Sequence, residues 1–237
     1  MKIAAAVLIV LAFRGAFAQD AFDKHASNMA LLQIKPIQKE LGVTEAQRAK
    51  MNAAAAVYNK QMSAVAADMQ KAASSGKKPP ADVKKRADSA LAALNNSVIS
   101  QLTPTQLKRL REISLQAAGA ASLADDQVGK RVGLSPDQIK KIRSIYEAAI
   151  KKAAALEEKA VDAAIGDLKK KTPKSDAEAK KLYEEAQKRA QAARQKAAPQ
   201  SNKIRIQAEV DAMKLLTPQQ KAAWIMLIGK KYTMPTK

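Results

Sequence analysis

The chain has 237 residues, with 42 Lys and Arg against 22 Asp and Glu, a single His and no Cys. A formal net charge of +20 points to an anionic partner, and the absence of cysteine excludes disulfides, a lipid anchor on Cys and zinc sites of the usual Cys/His type. Alanine is abundant, aromatic residues make up only 3% and glycine is scarce, which favours helix and argues against sheet.

The chain opens with Lys2 and an apolar run from Ile3 to Phe13, followed by Arg14 and the small-x-small triplet Ala16-Phe17-Ala18. The run has the length of a signal-peptide hydrophobic region and is too short to span a bilayer. Residues 1–18 are therefore expected to be a signal peptide cleaved after Ala18, and the protein to be periplasmic or secreted. No later stretch is long and apolar enough for a membrane helix, so the mature chain is expected to be soluble.

Past His25, the stretch Leu41-Gly-Val-Thr44-Glu-Ala-Gln47 reads as a helix start. Thr44 caps the first free N–H groups, and Gln47 reaches back to the cap. Met51, Ala55, Tyr58, Met62, Val65, Met69 and Ala72 then step by threes and fours, the helical period. Ser74 to Pro80 is a turn by composition. A return arm carries Val83, Ala87, Leu91, Leu94, Val98 and Leu102 and ends at a second start, Leu102-Thr103-Pro104-Thr105-Gln106.

The plan then repeats. Leu134-Ser135-Pro136-Asp137-Gln138 opens a stripe of Ile139, Ile142, Tyr146, Ala149, Ala153, Leu156, Ala160 and Ala163. A turn at Lys171 to Ser175 follows, with Ser175 and Glu178 forming a further capping box. The return arm carries Leu182, Ala186, Ala190, Ala193, Ala197, Ile204 and Ala208. Pro199 should kink or interrupt it. The fourth start is Leu216-Thr217-Pro218-Gln219-Gln220, and three of the four have Pro at the first helical position.

The order exposes a duplication. Ser135 follows Thr44 by 91 residues and Thr217 follows Thr103 by 114, so the second unit is 23 residues longer between its starts. Shared evenly, the excess adds about 11 residues, or ~17 Å, to each arm. Leu110 aligns with Trp224 and Ile113 with Leu227. The expected fold is all-α: two tandem antiparallel helical-hairpin units, residues 19–120 and 121–237, with long Ala-rich helices in a thin, elongated body.

Catalysis finds no support among these residues. His25 reads as a solvated bystander, and carboxylate pairs such as Glu157-Glu158 and Glu184-Glu185 point about 100° apart on a helix among lysines. No cofactor or metal is expected. Lys and Arg outnumber acids along residues 139–196, enough to attract phosphate, but no base-reading module or stacking aromatic set accompanies them, and export removes the usual partner. Nucleic acid is therefore not an expected partner. For lipid surfaces, Trp224 to Ile228 is the best segment, and its plainer reading is a terminal helix closing the core.

The four starts, two of them reading Leu-Thr-Pro-x-Gln, resemble the LTxxQ motif of the Spy/CpxP family of periplasmic helical proteins. The succession of a loose motif, a long hairpin and an LTPxQ motif is similar to one whole family member and occurs twice here. The resemblance implies thin helical units that bind unfolded proteins without ATP or serve in envelope-stress sensing. Two units in one chain imply that a homodimer is compatible but not required. Thr44, Gln47, Leu102, Thr103, Gln106, Ser135, Gln138, Leu216, Thr217 and Gln220 carry over as helix caps, not as a client-binding site. The expected partners are unfolded or acidic polypeptides, with an anionic envelope polymer or lipid surface as the rival.

Overall fold

A computed structural model describes residues 21–235. The expected signal peptide, with its cleavage point after Ala18, lies outside the described residues. Among the described residues all regular structure is helical. The chain forms two compact units: the first runs to Ala117 and takes back Ile228–Lys237, and the second is Ala118–Leu227. This division differs from a simple cut near residue 120, because the C-terminal residues return to the first unit.

In the first unit a 3₁₀ turn, Met29–Gln33, leads into a short helix α1, Lys35–Glu40, then α2, Glu45–Ser74, α3, Val83–Ile99, and α4, Pro104–Ala118. Gly42 ends α1 in the left-handed region (φ 63°), which glycine adopts without strain. The core sits at the base of the hairpin, where Leu32, Ile37, Leu41, Val43, Val98, Leu110 and Ile113 form one buried cluster. Above that base α2 and α3 pack as a two-helix layer. The buried seam passes through Val65 and Ala72 on one arm and Ala90 and Val98 on the other.

Two expected seam residues lie off it. Met69 is 46% exposed, and Asp68 takes its place, half-buried and accepting a hydrogen bond from Arg86 across the layer at 2.7 Å. Leu91 is 47% exposed, because small Ala90, about 100° away on the helix, occupies the seam. An alanine there lets the backbones approach closely, and two helices alone cannot cover both faces of α3.

The second unit repeats the base: a 3₁₀ segment Gly119–Ala124, a short helix α5, Asp126–Val132, left-handed Gly133 (φ 81°), then α6, Pro136–Ile165, α7, Asp176–Lys214, and α8, Pro218–Ile228. The duplication holds residue by residue at the base. Leu32, Ile37, Leu41 and Val43 have buried counterparts 91 positions on in Leu123, Val128, Val132 and Leu134. Along the hairpin, α6 packs on α7. The buried residues Ala190, Ala193, Ala197, Ser201, Ala208 and Ala212 keep near-heptad spacing, the pattern of close antiparallel packing.

Three details of the second hairpin depart from expectation. The outgoing arms α2 and α6 are each 30 residues, so the extra length falls on the return arm, 17 residues in α3 and 39 in α7. The adjacent prolines Pro79 and Pro80 hold the first return arm back to Val83, and most of the difference is sequence added within the second return arm. Pro199 does not interrupt α7, which runs continuously past it. The exposed ring costs one hydrogen bond that the paired seam on either side outweighs. At Ser175 only half the capping box forms: Ser175 Oγ accepts from the Glu178 N–H, but Glu178 accepts from the N–H of Lys174, not of Ser175. The extended Ser175 backbone (φ −155°) turns its own N–H away.

Candidate functional site

Each of the four helix starts closes on itself. The hydroxyls of Thr44, Thr103, Ser135 and Thr217 each accept from the backbone N–H of the Gln three residues on, and each capping residue donates its own backbone N–H to that Gln Oε1, at 2.9 to 3.0 Å. The apolar residues just before the starts sit in the bases: Leu102 packs against the core cluster of the first unit, and Leu216 is buried in the second.

Because each hairpin returns to its own base, the two starts of a unit meet. In the first unit Gln47 Nε2 donates to Gln106 Oε1 at 2.8 Å, and Gln106 Nε2 donates back to Gln47 Oε1 at 3.1 Å. In the second unit Gln138 and Gln220 do the same at 2.9 and 3.0 Å. The remaining amide hydrogens are used as well. Gln47 donates to the Gln101 carbonyl and Gln138 to that of Leu215, each two residues before the partner cap. Gln106 donates to Gly42 and Gln220 to Gly133, again two residues before the partner cap. Every donor and acceptor site of both amides is filled. A glutamate at these positions retains the cap but has no hydrogen to give.

This cross-pairing was not legible in the motif, where glutamine and glutamate serve a cap equally. The one available signal was that all four positions hold Gln. Its chemistry is fastening: two helix N-termini are joined with no titratable group.

Charged groups elsewhere are also structural in geometry. Arg111 Nε donates to Asp23 Oδ1 at 3.1 Å with both side chains buried, and the guanidinium lies 5.9 Å over the Phe22 ring. Tyr146 donates to Glu209 Oε2 at 2.6 Å, and the same carboxylate accepts from the Ala120 N–H. Burial first, and the Glu209 hydrogen bond second, hold the Tyr146 phenol above its ordinary range. Arg189 bridges Asp167 and Glu185, and its hydrogen bond holds the Glu185 carboxyl below the usual carboxylate range. His25 is exposed at the end of the first turn of helix. No group of three or more His, Cys, Asp or Glu able to hold a metal occurs among the described residues, and no helix among them is long and apolar enough to cross a membrane.

What the hairpins offer to solvent is a mixed surface. Val57, Met69 and Leu91 stand exposed on the first unit, and Ile150, Ile206, Val210, Ile225 and Met226 on the second. Lysine and arginine surround them in sequence at Lys60, Lys152, Lys203, Arg205 and Lys221. Thin layers have this property because each helix buries one stripe and leaves the rest wet. Compared with known proteins, the chain matches no family model, no curated protein and no solved structure.

Proposed function

We propose that this chain is an exported, non-catalytic, ATP-independent holdase that keeps unfolded polypeptides from aggregating. The observation that carries the reading is the exposed apolar set on both hairpins, dispersed among cationic side chains. Positive charge draws in acidic, unfolded segments over a range set by ionic strength. Scattered Val, Leu, Ile and Met then hold them loosely, since each buries a modest apolar area. Loose contact allows release without a nucleotide cycle. The motif resemblance to the Spy/CpxP family supports the same reading, with the motif residues acting as fasteners and not as the client surface.

The test is light scattering from a reduced or heated client protein with and without the purified chain. The expected result is suppression of scattering that weakens as salt rises. No suppression at several-fold molar excess refutes the proposal. The rival reading is a structural protein attached to anionic envelope material. Cosedimentation with peptidoglycan, together with no effect on client aggregation, favours that rival.

A further inference from the structure

The two units share a base, so a feature present in only one of them cannot be ascribed to the common scaffold. The C-terminal residues supply such a feature. After α8 the chain crosses the first unit as a strap over α4. Gln116 Nε2 donates to the carbonyls of Ile228 at 2.6 Å and Lys230 at 2.8 Å, and Gln116 Oε1 accepts from the Tyr232 N–H at 2.8 Å. Arg109 adds a second donor to the Lys230 carbonyl at 2.6 Å. Gly229 lies so close to the Glu112 carboxylate that a Cβ there has no room. Tyr232 packs against the core cluster. The strap is thus fixed in place by its backbone and by Tyr232, which leaves the Lys230 and Lys231 side chains exposed.

Between the strap and α1 lies an open groove of about 790 Å³, lined by Lys35, Lys39, Lys230 and Lys231 with Tyr232 as an apolar wall. All four lysines are exposed. Among the described residues the one carboxylate lining the groove, Glu40, is already bound by Arg109 through Nε at 2.9 Å and Nη2 at 2.6 Å. None of the four ammonium groups forms an ion pair with the described residues. In the second unit the counterpart of Lys35 is an acid, Asp126, ion-paired to Arg143 at 3.2 Å, so this position is cationic in the first unit alone.

Four unopposed ammonium groups on two rigid elements exceed what a single carboxylate neutralises. They match a compact multivalent anion, and lysine binds phosphate as a point charge. We propose that this groove of the first unit binds a phosphate-bearing anion, either a free oligophosphate or a phospholipid head group. The site does not rest on the holdase reading, whose apolar and cationic side chains lie on the hairpins.

The experiment titrates the purified full chain with inorganic tripolyphosphate by calorimetry. In a second arm it is sedimented with phosphatidylcholine vesicles with or without phosphatidylglycerol. The groove variant carries Lys35→Gln, Lys39→Gln, Lys230→Gln and Lys231→Gln. A control variant removes the same charge from the hairpin tips with Lys77→Gln, Lys78→Gln, Lys170→Gln and Lys171→Gln. All eight side chains are exposed, and far-ultraviolet circular dichroism checks that both variants stay helical. The groove variant should lose binding about tenfold or more while the control loses about twofold, the share due to net charge. Replacing the groove lysines by arginine should restore affinity. Loss confined to tripolyphosphate identifies a free anion, and loss confined to anionic vesicles identifies a head group; either supports the site. Equal losses in the two variants, or no binding of either probe by the unaltered chain, overturn it.

Discussion

Gln138 is the sharpest place to test how each hairpin is fastened. Replacing it by Ala removes four hydrogen bonds: the reach-back to the Ser135 N–H, the donation to Leu215, and both directions of the pair with Gln220. A net hydrogen bond contributes about 1 kcal/mol, and the site is only half-buried, so the expected cost is about 2–3 kcal/mol. A cap alone accounts for about 1 kcal/mol of that. Gln138→Glu separates the two roles. It keeps the acceptor for Ser135 and places a negative charge at a helix N-terminus, which favours the cap. It loses both donations and sets two oxygens, its own and Gln220 Oε1, against each other. If glutamine serves only as a cap, Gln138→Glu is neutral or stabilising. If the amide pair fastens the hairpin, the change costs about as much as Ala at neutral pH. Part of that cost should be recovered as acid protonates the carboxyl and restores a donor. Urea denaturation followed by Trp224 fluorescence is the assay. Trp224 is the chain's single tryptophan, buried one turn beyond Gln220 on α8. A double-mutant cycle with Gln220→Ala should give a coupling of about 1–2 kcal/mol. A coupling near zero, with Gln138→Glu at wild-type stability, refutes the fastening argument.

Gly129→Ala should be more costly than Gly133→Ala. A Cβ at Gly129 meets the Ile139 side chain at 2.7 Å and the Leu123 carbonyl at 2.9 Å, whereas Gly133 faces open space and is strained only by its left-handed backbone, about 1–2 kcal/mol; urea midpoints rank the two. Tyr146 should ionise above the ordinary tyrosine range in an ultraviolet titration of the folded chain. Its folded-state proton is held more tightly than in the unfolded chain, so the stabilisation is complete below about pH 10 and is lost as pH climbs through the folded value. Tyr146→Phe should flatten that alkaline loss of stability, and an unchanged alkaline profile counts against the assignment. Arg111→Met should cost about 3–5 kcal/mol because buried Asp23 loses the guanidinium hydrogen-bonded to it, and a loss of stability under about 1 kcal/mol by urea denaturation contradicts that accounting.

Much of the fold was legible along the chain because its signals are local. A threonine or serine before a proline, with glutamine three on, defines a helix start wherever it occurs. Gly76 to Pro80 breaks a helix by its own backbone restrictions. The repeat of these signals in the same order revealed two units. The register of the seam was less legible. Alanine-rich helices carry weak amphipathic contrast, so Ala90 and not Leu91 could take the buried stripe, and half-buried Asp68 could reach across to Arg86, once a second helix was present to define it. The partition of the extra length between arms depended on where each hairpin turns, which leaves both outgoing arms at 30 residues and puts the excess on the second return arm.

Two features had no signal in the linear pattern. The amide pairs join residues 59 and 82 positions apart, and the strap joins Gln116 to Tyr232 across 116 positions. From the sequence alone came the helical class, the four capped starts and the duplication, since propensity, capping and turn chemistry act within a few residues. Which glutamine meets which, where the C-terminus lies, and which lysines share one groove were decided only by the tertiary structure, because those depend on how far each arm runs before it turns back.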